Sequence, residues 1–113
     1  MKLQEIADAL GCEVLTPIDN SVEIEDVAAA DGMSEILAFA RPGALMVTGL
    51  TNIQSVRTAL VADSRAILYV RGKRPPEAVL QLARQTGIPV LVTRLGMFES
   101  CGVLYAAGLR AAM

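Results

Sequence analysis

Three apolar runs, Ala44-Leu-Met-Val-Thr48, Ala66-Ile-Leu-Tyr-Val70 and Pro89-Val-Leu-Val-Thr93, constrain this chain more than any other feature. Each is followed by apolar residues at helical spacing, and the equivalent run ends, Thr48, Arg71 and Arg94, recur about every 23 residues. That is the spacing of successive strand-helix units rather than of a solenoid repeat. A parallel strand pair needs a long crossover, usually a helix, so the order of elements predicts an α/β fold with a mainly parallel sheet. It also predicts that the turns after the three strands lie on one edge, the carboxyl edge, where open α/β sheets bind ligands.

Leu3, Ile6, Ala7 and Leu10 form one apolar stripe ahead of Gly11, which predicts a short amphipathic helix with a left-handed stop. Ile6 to Gly11 also looks like the first helix of a helix-turn-helix, but Cys12 to Thr16 is β-prone and Pro17 follows, so no recognition helix succeeds it. Val22 to Val27 alternates apolar and acidic residues, as a strand with one wet face does; Glu23 and Glu25 are then solvated charges rather than an acid/base pair. Asp31 reads as the cap of a helix over Met33 to Ala40, which Arg41-Pro-Gly43 ends. The helix after Pro75-Pro76 is expected to bury Ala78, Val79, Leu82 and Ala83 and to stop at Gly87. The last helix carries Met97, Phe98, Cys101, Leu104 and Tyr105 on one stripe, with Cys101 as a buried structural thiol, and ends at Gly108. Residues 109–113 are expected to fray or to dress an oligomer surface.

At 113 residues the chain suits a single domain, residues 1–113, that buries roughly two thirds of its unfolded surface. Hydrophobic residues make up 53% but aromatic ones only 4%, so the core is aliphatic. So apolar a composition on so small a body favours self-association, most simply a homodimer. A net charge of −2 supplies no field for nucleic acid or an anionic membrane, and no apolar run approaches the roughly 20 residues of a membrane span. The opening Met1-Lys-Leu-Gln-Glu-Ile-Ala-Asp8 does not read as a secretory signal, which makes the cytoplasm the expected compartment. Cys12 and Cys101 show no CxxC spacing and His is absent, which argues against a disulfide framework, a metal site and the commonest general base; no cofactor is expected.

The carboxyl edge can be written out from the sequence. The first turn contributes Thr48, Gly49, Thr51 and Asn52, the second Arg71, Gly72, Lys73 and Arg74, the third Thr93 and Arg94. Four of the ten basic side chains of an acidic protein thus gather beside three helix N-termini, and both features favour an anion such as a phosphate or carboxylate. The same residues also serve as ordinary caps, turn glycines and a solvated loop. Thr48-Gly-Leu-Thr-Asn52 is neither a dinucleotide fingerprint nor a Walker A loop, so no motif decides between these readings.

Taken together, Asp31-Gly-Met-Ser-Glu-Ile-Leu-Ala-Phe-Ala-Arg-Pro-Gly43, Thr48-Gly-Leu-Thr-Asn52, Val70-Arg-Gly-Lys-Arg-Pro75 and Gly87-Ile-Pro-Val-Leu-Val-Thr93 resemble stand-alone proteins of the DRTGG-domain family. The resemblance implies a three-layer α/β/α sandwich similar to the N-terminal domain of HPr kinase/phosphorylase. It implies kinship with regulatory modules of CBS-containing pyrophosphatases and of phosphotransacetylases, in which chemistry belongs to another domain. The Asp-Arg-Thr-Gly-Gly segment itself would fall near Glu25 to Ala29, where the glycines are missing, so no binding residue is carried over from it. The function expected is a non-enzymatic regulatory or interaction module, homodimeric, that senses a small anion such as a nucleotide. The alternative is a binding protein or enzyme for a phosphate-containing molecule, with its site at the strand ends and only Lys73 or Asp31 available to act.

Overall fold

The computed structural model, which describes residues 1–113, sets the three apolar runs side by side in the middle of one sheet. In chain order the elements are α1 (Leu3–Leu10), β1 (Glu13–Val14), β2 (Asp26–Ala29), α2 (Met33–Phe39), β3 (Leu45–Thr48), α3 (Ile53–Val61), β4 (Ala66–Tyr69), α4 (Glu77–Thr86), β5 (Val90–Val92), α5 (Met97–Ala106) and β6 (Arg110–Ala111). The sheet order is β1-β5-β4-β3-β2-β6, and every neighbouring pair is parallel except β1 with β5. Every residue of β3, β4 and β5 is buried, as befits parallel strands covered on both faces.

Alternation along these strands divides the core in two. Met46, Ile67, Tyr69 and Val90 face α2, α3 and α4; Leu45, Val47, Leu68 and Leu91 face α1 and α5. This is the expected three-layer α/β/α sandwich. A buried polar link fixes α3 on β4: the Tyr69 and Ser55 hydroxyls lie 2.6 Å apart, and Ser55 donates onward to the Asn52 carbonyl at 2.7 Å. None of the helices is long and apolar enough to cross a membrane.

Four local expectations are corrected. Ladder pairing begins only at Asp26, although Ile24 is buried and Glu23 and Glu25 are exposed as the alternation predicts; Glu23 instead forms an isolated bridge to Lys2. On α4 the buried residues are Val79, Leu80 and Ala83, while Leu82 is half-buried and Ala78 exposed, because the larger Leu80 gains more from the core than an alanine. On α5 the sheet side is Ser100 and Leu104, with Met97 and Cys101 half-buried, and Phe98 and Tyr105 stand 93% and 77% exposed. That helix is apolar on nearly every side, so spacing alone cannot select its inner face. Finally, residues 109–113 do not fray: β6 adds to the sheet beside β2, and Leu109 and Ala112 are buried.

Candidate functional site

The carboxyl ends of β3, β4 and β5 do share one edge, and the end of β2 joins them. Ala30 continues the β2 ladder by donating its amide to Val47, which sets Asp31 beside the β3–α3 turn. Its carboxylate accepts the Gly49 N–H at 2.7 Å and the Thr48 hydroxyl at 3.3 Å, and the same hydroxyl accepts the Leu50 N–H at 3.1 Å. Asp31 is therefore not the cap of α2. The N-cap is Gly32, without a side-chain bond, because a residue ending a parallel strand reaches sideways to its neighbour rather than forward to its own helix.

Arg71 closes over this turn from β4. Its Nη2 lies 3.9 Å from Asp31 Oδ2, both side chains being about half exposed, and a methyl group at Gly49 would collide with its guanidinium. Gly49 is not in the left-handed region, so the room it leaves for Arg71 is what requires glycine there. Arg71 itself has φ 62, a conformation that costs a non-glycine residue about 1 kcal/mol. The bend is tied to β5: the Arg71 amide donates to Leu95 and the Gly72 amide to Thr93, both at 2.8 Å.

The other half of the rim lies over β5 and β1. A cleft of about 600 Å³ opens there, lined by Gly11, Cys12 and Glu13 on one side and by Gly72, Arg74 and Arg94 on the other. Arg74 ion-pairs with Glu13, whereas Arg94 and Lys73 are exposed and have no carboxylate within reach. Burial pushes the Cys12 thiol up to about 11, which leaves almost no thiolate at neutral pH. Thr93 is fully buried and its hydroxyl is committed inside the fold, donating to the Leu10 carbonyl at 2.7 Å and accepting the Leu95 N–H at 3.2 Å. It locks α1 to the sheet edge.

The ten residues singled out from sequence thus occupy one rim in two clusters. Thr48, Gly49 and Arg71 gather around Asp31, next to half-buried Thr51 and exposed Asn52, which opens α3 without a side-chain cap bond. Gly72, Arg74 and Arg94 line the cleft and form the second cluster, with exposed Lys73 and buried Thr93 next to them in the chain. The hydroxyls of Thr48 and Thr93 are internal fastenings. The sequence names Asp31 only as a helix cap or as a group available to act, not as the carboxylate that holds the first cluster, and it does not bring Glu13 to the rim. Reading Ala28 to Ala30 as a fourth parallel strand would have brought Asp31 to the rim.

A family model for the DRTGG domain matches residues 5–107. Among solved structures, the chain is similar to the CBS and DRTGG domains of the regulatory region of Clostridium perfringens pyrophosphatase, complexed with the activator diadenosine tetraphosphate. The TM-score is 0.73 at 17% identity, over 91% of this chain and 45% of that one, so this chain spans less than half the length of that regulatory region. No curated protein matches the chain.

Proposed function

The chain belongs to the DRTGG-domain family, and from that premise we propose that it is a non-enzymatic regulatory module, a cytoplasmic homodimer, that senses a small phosphate-bearing ligand at the carboxyl edge of its sheet. The observation that carries this reading is the cleft of about 600 Å³ flanked by Arg74 and by Arg94, which lacks a carboxylate partner, on a chain whose net charge is −2. Cations at a concave sheet edge offer a phosphate charge-assisted hydrogen bonds, and the uncapped α4 and α5 start beside them. Lys73 extends the cationic border, while Arg71 and Gly49, with Thr51 and Asn52, form a second border held by Asp31. Catalysis is disfavoured because Cys12 is protonated at neutral pH and Asp31 already accepts a backbone amide. Nucleotides come first among phosphate-bearing ligands because the similar pyrophosphatase regulatory region holds diadenosine tetraphosphate.

Thermal unfolding in the presence of AMP, ATP, diadenosine tetraphosphate and inorganic pyrophosphate tests this. A ligand at 100 times its dissociation constant adds about 2.7 kcal/mol, a shift of about 10 °C. The exposed pair Arg74→Ala with Arg94→Ala is expected to abolish that shift without lowering the melting temperature of the free protein by more than a degree or so. No shift with any of the four compounds overturns the reading.

A further inference from the structure

Arg71 stands between the two halves of the rim. Its main chain is fastened on the β5 side, where the Arg71 and Gly72 amides donate to Leu95 and Thr93, and Gly72 lines the cleft. Its guanidinium leans the other way, over Gly49 and towards Asp31. The Lys73 amide closes the turn on the Val70 carbonyl, and φ is 62 at Arg71 and 66 at Gly72, the geometry of a type I′ turn. Gly, Asn and Asp fill the first of these positions at least cost, so the arginine is held there against the backbone preference of the turn. Its contact with Asp31 does not offset that preference. At 3.9 Å from Asp31 Oδ2, with both side chains about half exposed, Nη2 is beyond hydrogen-bonding distance and the pair is a loose one.

From these observations we infer that Arg71 is a further ligand-binding residue held in reserve: Asp31 restrains it in the free protein, and an incoming phosphate group takes it over. The proposal rests on the phosphate reading of the cleft and says how that site is regulated. The Cα atoms of Arg71 and Gly72 are about 3.8 Å apart, less than the length of an arginine side chain. Rotation about the side-chain bonds therefore carries the guanidinium from the β3–α3 turn to the cleft that Gly72, Arg74 and Arg94 line. There a phosphate offers it paired N–H···O bonds, which the Asp31 carboxylate at 3.9 Å does not. Asp31 keeps its place through the exchange, because its other oxygen stays bound to the Gly49 N–H and the Thr48 hydroxyl. The Asp31–Arg71 contact is thus an internal competitor that raises the ligand concentration needed for binding. Neutralising Asp31 tightens binding, whereas breaking a purely structural pair weakens it or leaves it unchanged.

The test is isothermal titration calorimetry of ATP and of inorganic pyrophosphate into the wild type, Asp31→Asn, Arg71→Gly and the double variant. Asp31→Asn keeps an acceptor for the Gly49 N–H, and Arg71→Gly suits the left-handed backbone, so both retain the turn, which thermal unfolding checks. Glu35→Gln is the control: it removes the same charge from an exposed residue in the first turn of α2 that does not pair with Arg71. Asp31→Asn is expected to lower the dissociation constant about fivefold relative to Glu35→Gln, the worth of a half-exposed ion pair. Arg71→Gly is expected to raise it at least about tenfold. In the Arg71→Gly background, Asp31→Asn is expected to gain no more than Glu35→Gln does. No gain over Glu35→Gln, or an equal gain with and without Arg71, overturns the proposal. The phosphate reading then still stands if the wild type binds and Arg74→Ala with Arg94→Ala abolishes binding. Binding of neither compound to the wild type or to Asp31→Asn overturns both.

Discussion

At the β3–α3 turn one carboxylate organises three neighbours: Asp31 accepts the Gly49 amide and the Thr48 hydroxyl and faces Arg71. Replacing Asp31 with Ala leaves a partly buried N–H without its charged acceptor and is expected to cost about 1–2 kcal/mol, read as a lower urea midpoint at unchanged m-value. Asp31→Asn retains an acceptor oxygen and is expected to cost less than half as much. Across the rim, Cys12 gives a pH signature. Its folded-state pKa is raised to about 11 by burial from an ordinary 9.0, so its contribution to stability is complete below pH 9 and is lost as pH rises towards 11. Cys12→Ala is expected to flatten that slope, and alkylation of Cys12 at pH 8 is expected to run about 100-fold slower than that of a free thiol. Neither role was visible beforehand. Burial of Cys12 and the sideways reach of Asp31 depend on which segments become neighbours, and local spacing does not carry that information.

The elements were legible where their pattern had one solution. Strands β3, β4 and β5 are short apolar runs bounded by turns, and α1 has a stripe and a glycine stop, so each was found to within a residue or two. Helix α5 has apolar residues around its circumference, so spacing does not select its inner face, and β6 is too short to show a period. Tertiary anchoring makes β6 a strand. The Ala112 amide donates to Val27 at 2.8 Å, its carbonyl accepts the Arg41 amide at 2.8 Å, and the Arg41 guanidinium donates to the Ala111 carbonyl at 2.6 Å. Because Ala112 is fully buried, Ala112→Asp sinks an unpaired carboxylate into the core and is expected to cost more than about 3 kcal/mol. Exposed Ala111→Asp is expected to stay within about 0.5 kcal/mol in the same urea titration, a contrast that a frayed tail would not give.

For the whole molecule, the composition pointed to one aliphatic body, and the sheet divides that body into two cores that share no side chains but share the central strands β3, β4 and β5. Adjacent residues of β4 therefore report on different layers: Ile67 packs under α3 and α4, Leu68 under α1 and α5. Ile67→Val is expected to cost about 1 kcal/mol and Leu68→Ala about 3 kcal/mol, because both side chains are fully buried and the second loses more volume. Their sum stays within the 5–15 kcal/mol typical of a single domain, so the double variant remains measurable. The two effects should add to within about 0.5 kcal/mol, since the side chains have no packing partner in common. Both variants should nonetheless unfold in one transition with the wild-type m-value, because removing either helix layer exposes the opposite face of the same strands to water. A biphasic urea curve for Leu68→Ala, with α1 and α5 lost first, would show instead that the two layers are separable units joined only by the sheet.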